Sequence, residues 1–328
     1  LIIIIFTMVI EYGNKKNNVE SKYYLAEDEK LVVFTSHKEE VVEPIIKEFE
    51  EKTGIWVEVV CGGTTDLLNN IKESDDKFVC DVMFGGSAES LENCDEYFLK
   101  YRCSEYDKLN SQILSKDYKW TAFSNLPIVI IYNNKTVYPT SAPNGWMELL
   151  SSKWEGKVAF AEPQNSGSSY TAIAALLQFS DKENEEIIDN LIKQIGGDEA
   201  TSSGAAVDQV SNGIKQVGIT LEATAQQRIV AGENISIVYP IEGTVVLPDG
   251  TAILKNAKHI ENAKKFIEFT VSKETQEMVA DRFYRRPVRE DIDCSEKIAS
   301  DILTMKFDVD WASKNKDNIL NIWNKKMQ

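Results

Sequence analysis

The feature that most restricts this chain is a repeated switch between strand and helix patterning that starts at Leu31. Leu31-Val32-Val33-Phe34 is a short apolar run, and Val41, Val42, Ile45, Ile46 and Phe49 then share one helical face until Gly54 stops the helix. Ile55 to Val60 reads as a second strand. Gly62-Gly63-Thr64-Thr65-Asp66 opens another amphipathic helix through Leu67, Leu68 and Ile71, and Phe78 to Phe84 gives a third strand ending at Gly85-Gly86-Ser87. Neighbouring strands joined by helices pair in parallel, so the expected class is α/β, with open sheets covered on both faces.

A parallel sheet sends its strand-to-helix loops to the carboxyl edge, where such sheets bind ligands. Three polar loops therefore converge: Thr35-Ser36-His37, Gly62 to Thr65, and Gly85-Gly86-Ser87. A second alternating region begins near Pro127 with a strand from Ile128 to Tyr132. It continues through Lys157-Val158-Ala159-Phe160, a helix from about Ser168 and a strand at Val217-Gly218-Ile219-Thr220. That is a second α/β lobe. No low-complexity linker separates the two regions, so strands that cross more than once are expected to join them.

Length and charge narrow the function. The 328 residues, 43% of them apolar, suffice for two ordinary cores. With 52 Asp and Glu against 36 Lys and Arg, the net charge of -16 opposes tracking along nucleic acid or anionic lipid, and no nucleic-acid partner is expected. It leaves anionic ligands open, because a closed pocket can hold them with backbone N–H groups, hydroxyls and helix N-termini. Leu1 to Ile10 are almost wholly apolar and are followed by the polar stretch Asn14 to Asn18, which resembles the end of a secretion signal leading into a tether over residues 1–27. That run is shorter than the roughly 20 apolar residues a bilayer span needs. Tyr12 stands where a lipoprotein would carry its lipidated cysteine. The five cysteines, Cys61, Cys80, Cys94, Cys103 and Cys294, form no CxxC pair and stand with only two histidines, so no metal site is expected. Cys94 with Cys103 reads equally as a disulfide of an exported protein or as buried thiols.

The residues from about Leu31 to Asp291 resemble the periplasmic solute-binding proteins of ABC transporters. Within them, the match is to the branch with the type II two-lobed fold that holds ferric-iron binders and binders of hexose phosphates, pyridoxal phosphate and phosphonates. The most specific stretches are Asn144 to Ala159, with Trp146 and Trp154, then Phe160 to Thr171, and Asn262 to Phe269 continuing through Ser272 to Gln276 and Arg286 to Arg289. The resemblance implies a ligand cleft between lobes that are each a mostly parallel sheet flanked by helices. The first lobe would comprise residues 28–124 plus 242–284, and the second 125–241 plus 285–328. It further implies a monomeric receptor, periplasmic or tethered outside the cytoplasm, that delivers its ligand to a membrane permease and needs no cofactor.

Ferric-iron members usually hold the metal with two adjacent tyrosines and a His from the first-strand loop. Here the matching stretch reads Val217 to Gln226, with Ala223 and Thr224 where the tyrosines belong. Without those phenolates a hard cation loses its main anionic ligands, which leaves ferric iron as the alternative to an organic anion. His37 stands at the family position and would act through hydrogen bonding. The candidates for an anion are hydroxyls and glycines at helix starts: Gly63, Thr64 and Thr65; Asn165, Ser166, Gly167, Ser168 and Ser169; Ser202, Ser203 and Gly204. Ser36 and Ser87 join them from the first-lobe loops. Glu222 and Glu242 would accept hydrogen bonds from ligand hydroxyls or pair with an amine, since a carboxylate facing phosphate would repel it. Asp208 has the same chemistry, and Arg228 is either a phosphate partner or solvated. The sequence has no nucleophile elbow, P-loop or dinucleotide fingerprint, so catalysis is not expected, although Cys61 beside Gly62 is a nucleophile type in a ligand loop.

Overall fold

The computed structural model describes residues 29–74, 77–110, 114–115 and 117–327. The expected leader and tether, with Tyr12, lie outside these residues. In the first half, β1 (Lys30–Thr35), α1 (Glu39–Thr53), β2 (Trp56–Cys61), α2 (Thr64–Lys72), β3 (Val82–Ser87), α3 (Ala88–Glu92), β4 (Thr121–Asn133) and α4 (Trp146–Leu149) follow in order. Then come β5 (Val158–Ala159), α5 (Gly167–Phe179), α6 (Asn184–Ile195), α7 (Ser203–Ser211), β6 (Val217–Leu221), α8 (Glu222–Val230), β7 (Ile235–Val238) and β8 (Val246–Ile253). Three helices close the chain: α9 (Ile260–Thr270), α10 (Lys273–Asp281) and α11 (Val309–Met327).

The βα pattern forms as its periodicity dictates. The apolar stripe of α1 is buried, and the helix ends at Gly54, whose φ of 71° lets its N–H bond to the Glu50 carbonyl. The strand order is β2-β1-β3-β8-β4-β6-β5, with β7 also on β4. β1 pairs in parallel with β2 and β3, and β5 in parallel with β6. The pairs made by β4 and β8 run antiparallel, so the parallel character is confined to the βα units and each sheet is mixed. The reason is the return of the chain: a strand that carries it back between lobes enters the sheet from the opposite end.

β4 is thirteen residues long and changes partners partway. Thr121 to Pro127 pair with β8, whereas Ile128 to Tyr132 pair with β6. One apolar core lies on each side of that switch. The first is built round Phe49, Phe84 and Phe266, whose rings meet edge-to-face at 5.1 and 5.3 Å, and the second holds Trp154, Phe160 and Trp323. The partner switch and the separate cores support a division between lobes near residue 125, which we propose; the expected return to the second lobe at residue 285 is placed too early, since Val288 lies in the first core and Arg289 pairs with Glu105.

A buried ion pair fastens the returning chain to the second lobe. Arg286 donates from Nε to Glu222 Oε2 at 2.9 Å and from Nη2 to Oε1 at 2.8 Å, and Tyr239 donates to the same carboxylate at 2.6 Å. Arg286 also donates to the carbonyls of Ala299 and Ser300. Glu222 is wholly buried, so removing its partner strands a charge. Arg286→Met should therefore destabilise the protein by about 3–5 kcal/mol, and Arg286→Met with Glu222→Met by less than the single change. Urea unfolding of both variants measures this, and a double variant less stable than the single one contradicts it.

Candidate functional site

A cleft of ≈ 490 Å³ opens between the two groups of strands. That is the size of a pocket for a small solute. Six helices begin at it. Lys38, Gly63 and Ser87 are the N-cap residues of α1, α2 and α3, Ser166, Ser202 and Leu221 those of α5, α7 and α8, and all six line the cleft. Each helix presents unpaired backbone N–H groups and the positive end of its dipole there.

Tight turns bring the loops this close. Gly85 has φ 109° and Gly86 φ 103°, and a Cβ on Gly85 would lie 2.7 Å from Ser36 Oγ. Only glycine lets the end of β3 pass the β1 loop at that distance.

Ser36, His37, Gly63, Thr64 and Ser87 line the cleft from the first lobe. Asn165, Ser166, Gly167, Ser168, Ser202 and Ser203 line it from the second. Thr65, Ser169 and Gly204 do not. Ser169 is turned to Ser166 Oγ at 3.1 Å, and Gly204 lies within the first turn of α7. Two serines expected as ligand contacts are helix caps: Ser166 Oγ accepts from the Ser169 N–H, and Ser202 Oγ accepts from the Ala205 N–H at 3.1 Å. Ser168 and Ser203 form no cap of this kind.

The structure keeps both predicted acids out of the cleft. Glu222 is held by Arg286 and Tyr239 inside the second lobe. Glu242 accepts from the backbone N–H groups of Trp146 and Met147, each at 3.1 Å, and so caps α4. Gly145 leaves room for it, since a Cβ there would lie 2.0 Å from the carboxylate. Asp208 and Arg228 pair with each other at 2.9 Å. All five cysteines are free thiols, with Cys94 and Cys103 buried and Cys61 exposed.

Several lining residues had no clear sequence signal. Lys38, Thr171, Thr224 and Gln227 sit beside or within predicted elements, whereas Asp249 and Arg285 come from segments that cross between lobes. Arg285 Nη1 donates to Asp249 Oδ2 at 2.8 Å and to Ser124 Oγ at 3.1 Å. His37 Nδ1 lies 3.5 Å from the same Nη1. His37 Nε2 lies 3.4 Å from Asp249 Oδ2 but makes no hydrogen bond. The His37 ring packs against Phe84 and Phe123 with centroids at 4.4 and 5.4 Å. This burial, and then the Arg285 charge, hold the imidazole neutral by pushing its pKa well below the usual range. Burial pushes the Asp249 carboxyl upward, while Arg285 and Ser124 pull it back.

Across the cleft, Thr171 of α5 donates to Glu89 Oε1 at 2.7 Å, and Ser87 donates to the same oxygen at 2.5 Å. Glu89 is buried and its Oε2 has no partner. Lys316 of α11 reaches Ser90 Oγ at 3.0 Å. The two sides of the cleft thus touch through polar groups behind the ligand space.

A two-part α/β fold with crossing strands and a polar, helix-lined cleft is the architecture of a binding receptor. The chain belongs to the bacterial extracellular solute-binding proteins, a family that matches residues 88–313. It is a solute-binding protein of an ABC importer, acting outside the cytoplasm, and its family and fold are those of binding proteins rather than enzymes. A similar protein is iron uptake protein A1 of Synechocystis, 26% identical over 297 residues, covering 84% of this chain and 80% of that one. Similar structures include the periplasmic binding protein AfuA of Actinobacillus pleuropneumoniae with exogenous fructose-6-phosphate bound (22% identity, TM-score 0.83, 91% of this chain and 98% of that one). Another is iron-bound HitA of Pseudomonas aeruginosa (20% identity, TM-score 0.81, 90% and 99%).

The neutral buried histidine has a measurable consequence. Below pH 6.5, the ordinary value, the unfolded chain takes up a proton at His37 that the folded protein refuses. Stability therefore falls as pH drops through that value. His37→Gln should flatten this slope in urea unfolding between about pH 6.5 and pH 5, and an unchanged slope would show that His37 does not carry it.

Proposed function

We propose that this receptor captures a small phosphorylated organic anion, of the sugar phosphate, pyridoxal phosphate or phosphonate class, and delivers it to a membrane permease. The convergence of six helix N-termini and their hydroxyls on one cleft supports the reading, because that arrangement favours a multivalent oxyanion. Lys38 and Arg285 add positive charge to the lining, and the hydroxyl of Ser203, with that of Ser168 shared with Ser166 Oγ at 3.1 Å, adds donors. AfuA, whose structure holds exogenous fructose-6-phosphate, shares the fold.

Ferric iron is the reading that the relatives' names keep in view. It needs hard anionic oxygen ligands, and among the described residues the lining contributes no tyrosine. Tyr170 instead donates to the Ala312 carbonyl and Tyr239 to Glu222. Among the described residues no group of three or more His, Cys, Asp or Glu is placed to hold a metal ion.

The test is differential stabilisation. At 100 times its dissociation constant, a phosphorylated ligand should stabilise the fold by roughly 2.7 kcal/mol, and its dephosphorylated parent by little. Fructose 6-phosphate with fructose, pyridoxal phosphate with pyridoxal, and 2-aminoethylphosphonate with ethylamine form the panel. Equal shifts within every pair would end the phosphate reading, and a coloured complex with ferric citrate would favour iron.

The cap at Ser202 and the uncapped hydroxyl of Ser203 should separate cleanly. Ser203→Ala should weaken binding by about 1.5–3 kcal/mol with little change in unliganded stability. Ser202→Ala should lower unliganded stability by about 1 kcal/mol. Calorimetric titration and thermal unfolding of both variants measure the contrast, and a stability loss confined to Ser203→Ala would reverse these roles.

A further inference from the structure

The two cations of the cleft lining are bound differently. Arg285 Nη1 donates to Asp249 and Ser124, while its buried Nε has no partner among the described residues. Lys38 Nζ makes no hydrogen bond or ion pair among the described residues. Its side chain leaves the first lobe at the start of α1 and comes to rest on the first turn of α7 in the second lobe. A Cβ built on Gly204 would lie 2.5 Å from Lys38 Nζ and 3.4 Å from its Cε.

This is an unfavourable place for an unshared ammonium. The N-terminal end of α7 carries partial positive charge of its own. Solvent reaches the lysine side chain, yet desolvation between the lobes, with Arg228 and Arg285 nearby, pushes its pKa below the usual lysine range. Glu40 and Asp208 offset part of this, but Asp208 is already paired with Arg228. Two positive ends therefore face each other across the cleft, and a shared anion would satisfy both.

We propose that Lys38 is the specificity-determining residue for the ligand's anionic group, closing over it from the first lobe while the α7 N-terminus donates from the second. The anionic group then lies at the α7 end of the cleft. The inference rests on the phosphorylated-ligand reading and adds to it the group that selects for charge.

Gly204 gives the inference a test that leaves the charge in place. The helix geometry at this position accepts alanine, but a methyl group there would displace the ammonium. The probes are fructose 6-phosphate, pyridoxal phosphate and 2-aminoethylphosphonate with their dephosphorylated parents, titrated against wild type, Lys38→Met, Lys38→Arg and Gly204→Ala. Lys38→Met should weaken the phosphorylated probe that binds wild type by about 10- to 100-fold and leave its parent unchanged. Lys38→Arg should recover most of the affinity, and Gly204→Ala should fall between, with thermal unfolding confirming that each variant folds. Wild-type affinity in Lys38→Met, or an equal loss for probe and parent, overturns the role of Lys38 while leaving the phosphate reading standing. Failure of wild type to bind any phosphorylated probe overturns both.

Discussion

The direction of the strands governs the site. Because β1 runs parallel to β2 and β3, and β5 to β6, the helices that follow them start on the same edge of their sheets. Joining the two sheets through β4 turns those edges towards each other. The outcome is a cleft ringed by N-terminal helix ends, built from backbone alone. It also reconciles a net charge of -16 with a pocket suited to an anion. Surface carboxylates are screened beyond roughly 8–10 Å at ordinary ionic strength, while N–H groups inside the cleft act at contact.

Two consecutive arginines show how finely the crossing segments partition charge. Arg285 faces Asp249 and His37 at the base of the cleft, and Arg286 faces Glu222 inside the second lobe. In extended chain, successive side chains point to opposite sides, so one residue of register decides which lobe receives which charge. The backbone holds that register, because the Asn125 N–H donates to the Arg286 carbonyl at 2.8 Å. Just before it, Tyr284 takes φ 52°, a left-handed conformation that non-glycine residues seldom adopt. A chain fixed at this point feeds one arginine to the ligand space and spends the other on the fold.

Local patterning carries the parts of this arrangement that were legible in the sequence. The strand-to-helix loops announced themselves because Gly, Ser and Thr cluster after apolar runs, and Ser36, Gly63, Ser87, Ser168 and Ser203 do line the cleft. The family resemblance of the stretch ending at Glu222 points to a ligand contact there, but the structure buries this carboxylate against Arg286. Its partner lies 64 residues away, and nothing local marks the pairing. Glu242 and Asp249 illustrate the same limit from both sides. One acid caps a helix nearly a hundred residues distant in sequence, and the other enters the cleft from β8, which has no preceding loop signal. Distinguishing Ser202 from Ser203 is harder still, since only the cap geometry tells which hydroxyl is already engaged.

The contacts behind the cleft bear on how closure responds to a ligand. A ligand can bias two conformations only by the difference in its affinity for them. Thr171 and Glu89 already touch across the lobes, and so do Lys38 and Gly204, so part of the closed arrangement exists through protein contacts alone. These contacts differ in sign. The hydroxyl-to-carboxylate bond favours approach of the lobes, while an ammonium pressed on a helix N-terminus opposes it. An anion entering between Lys38 and α7 would convert the second contact from repulsive to attractive and leave the first untouched. Closure would then depend on the charge of the ligand, because without an anion the opposing contact remains.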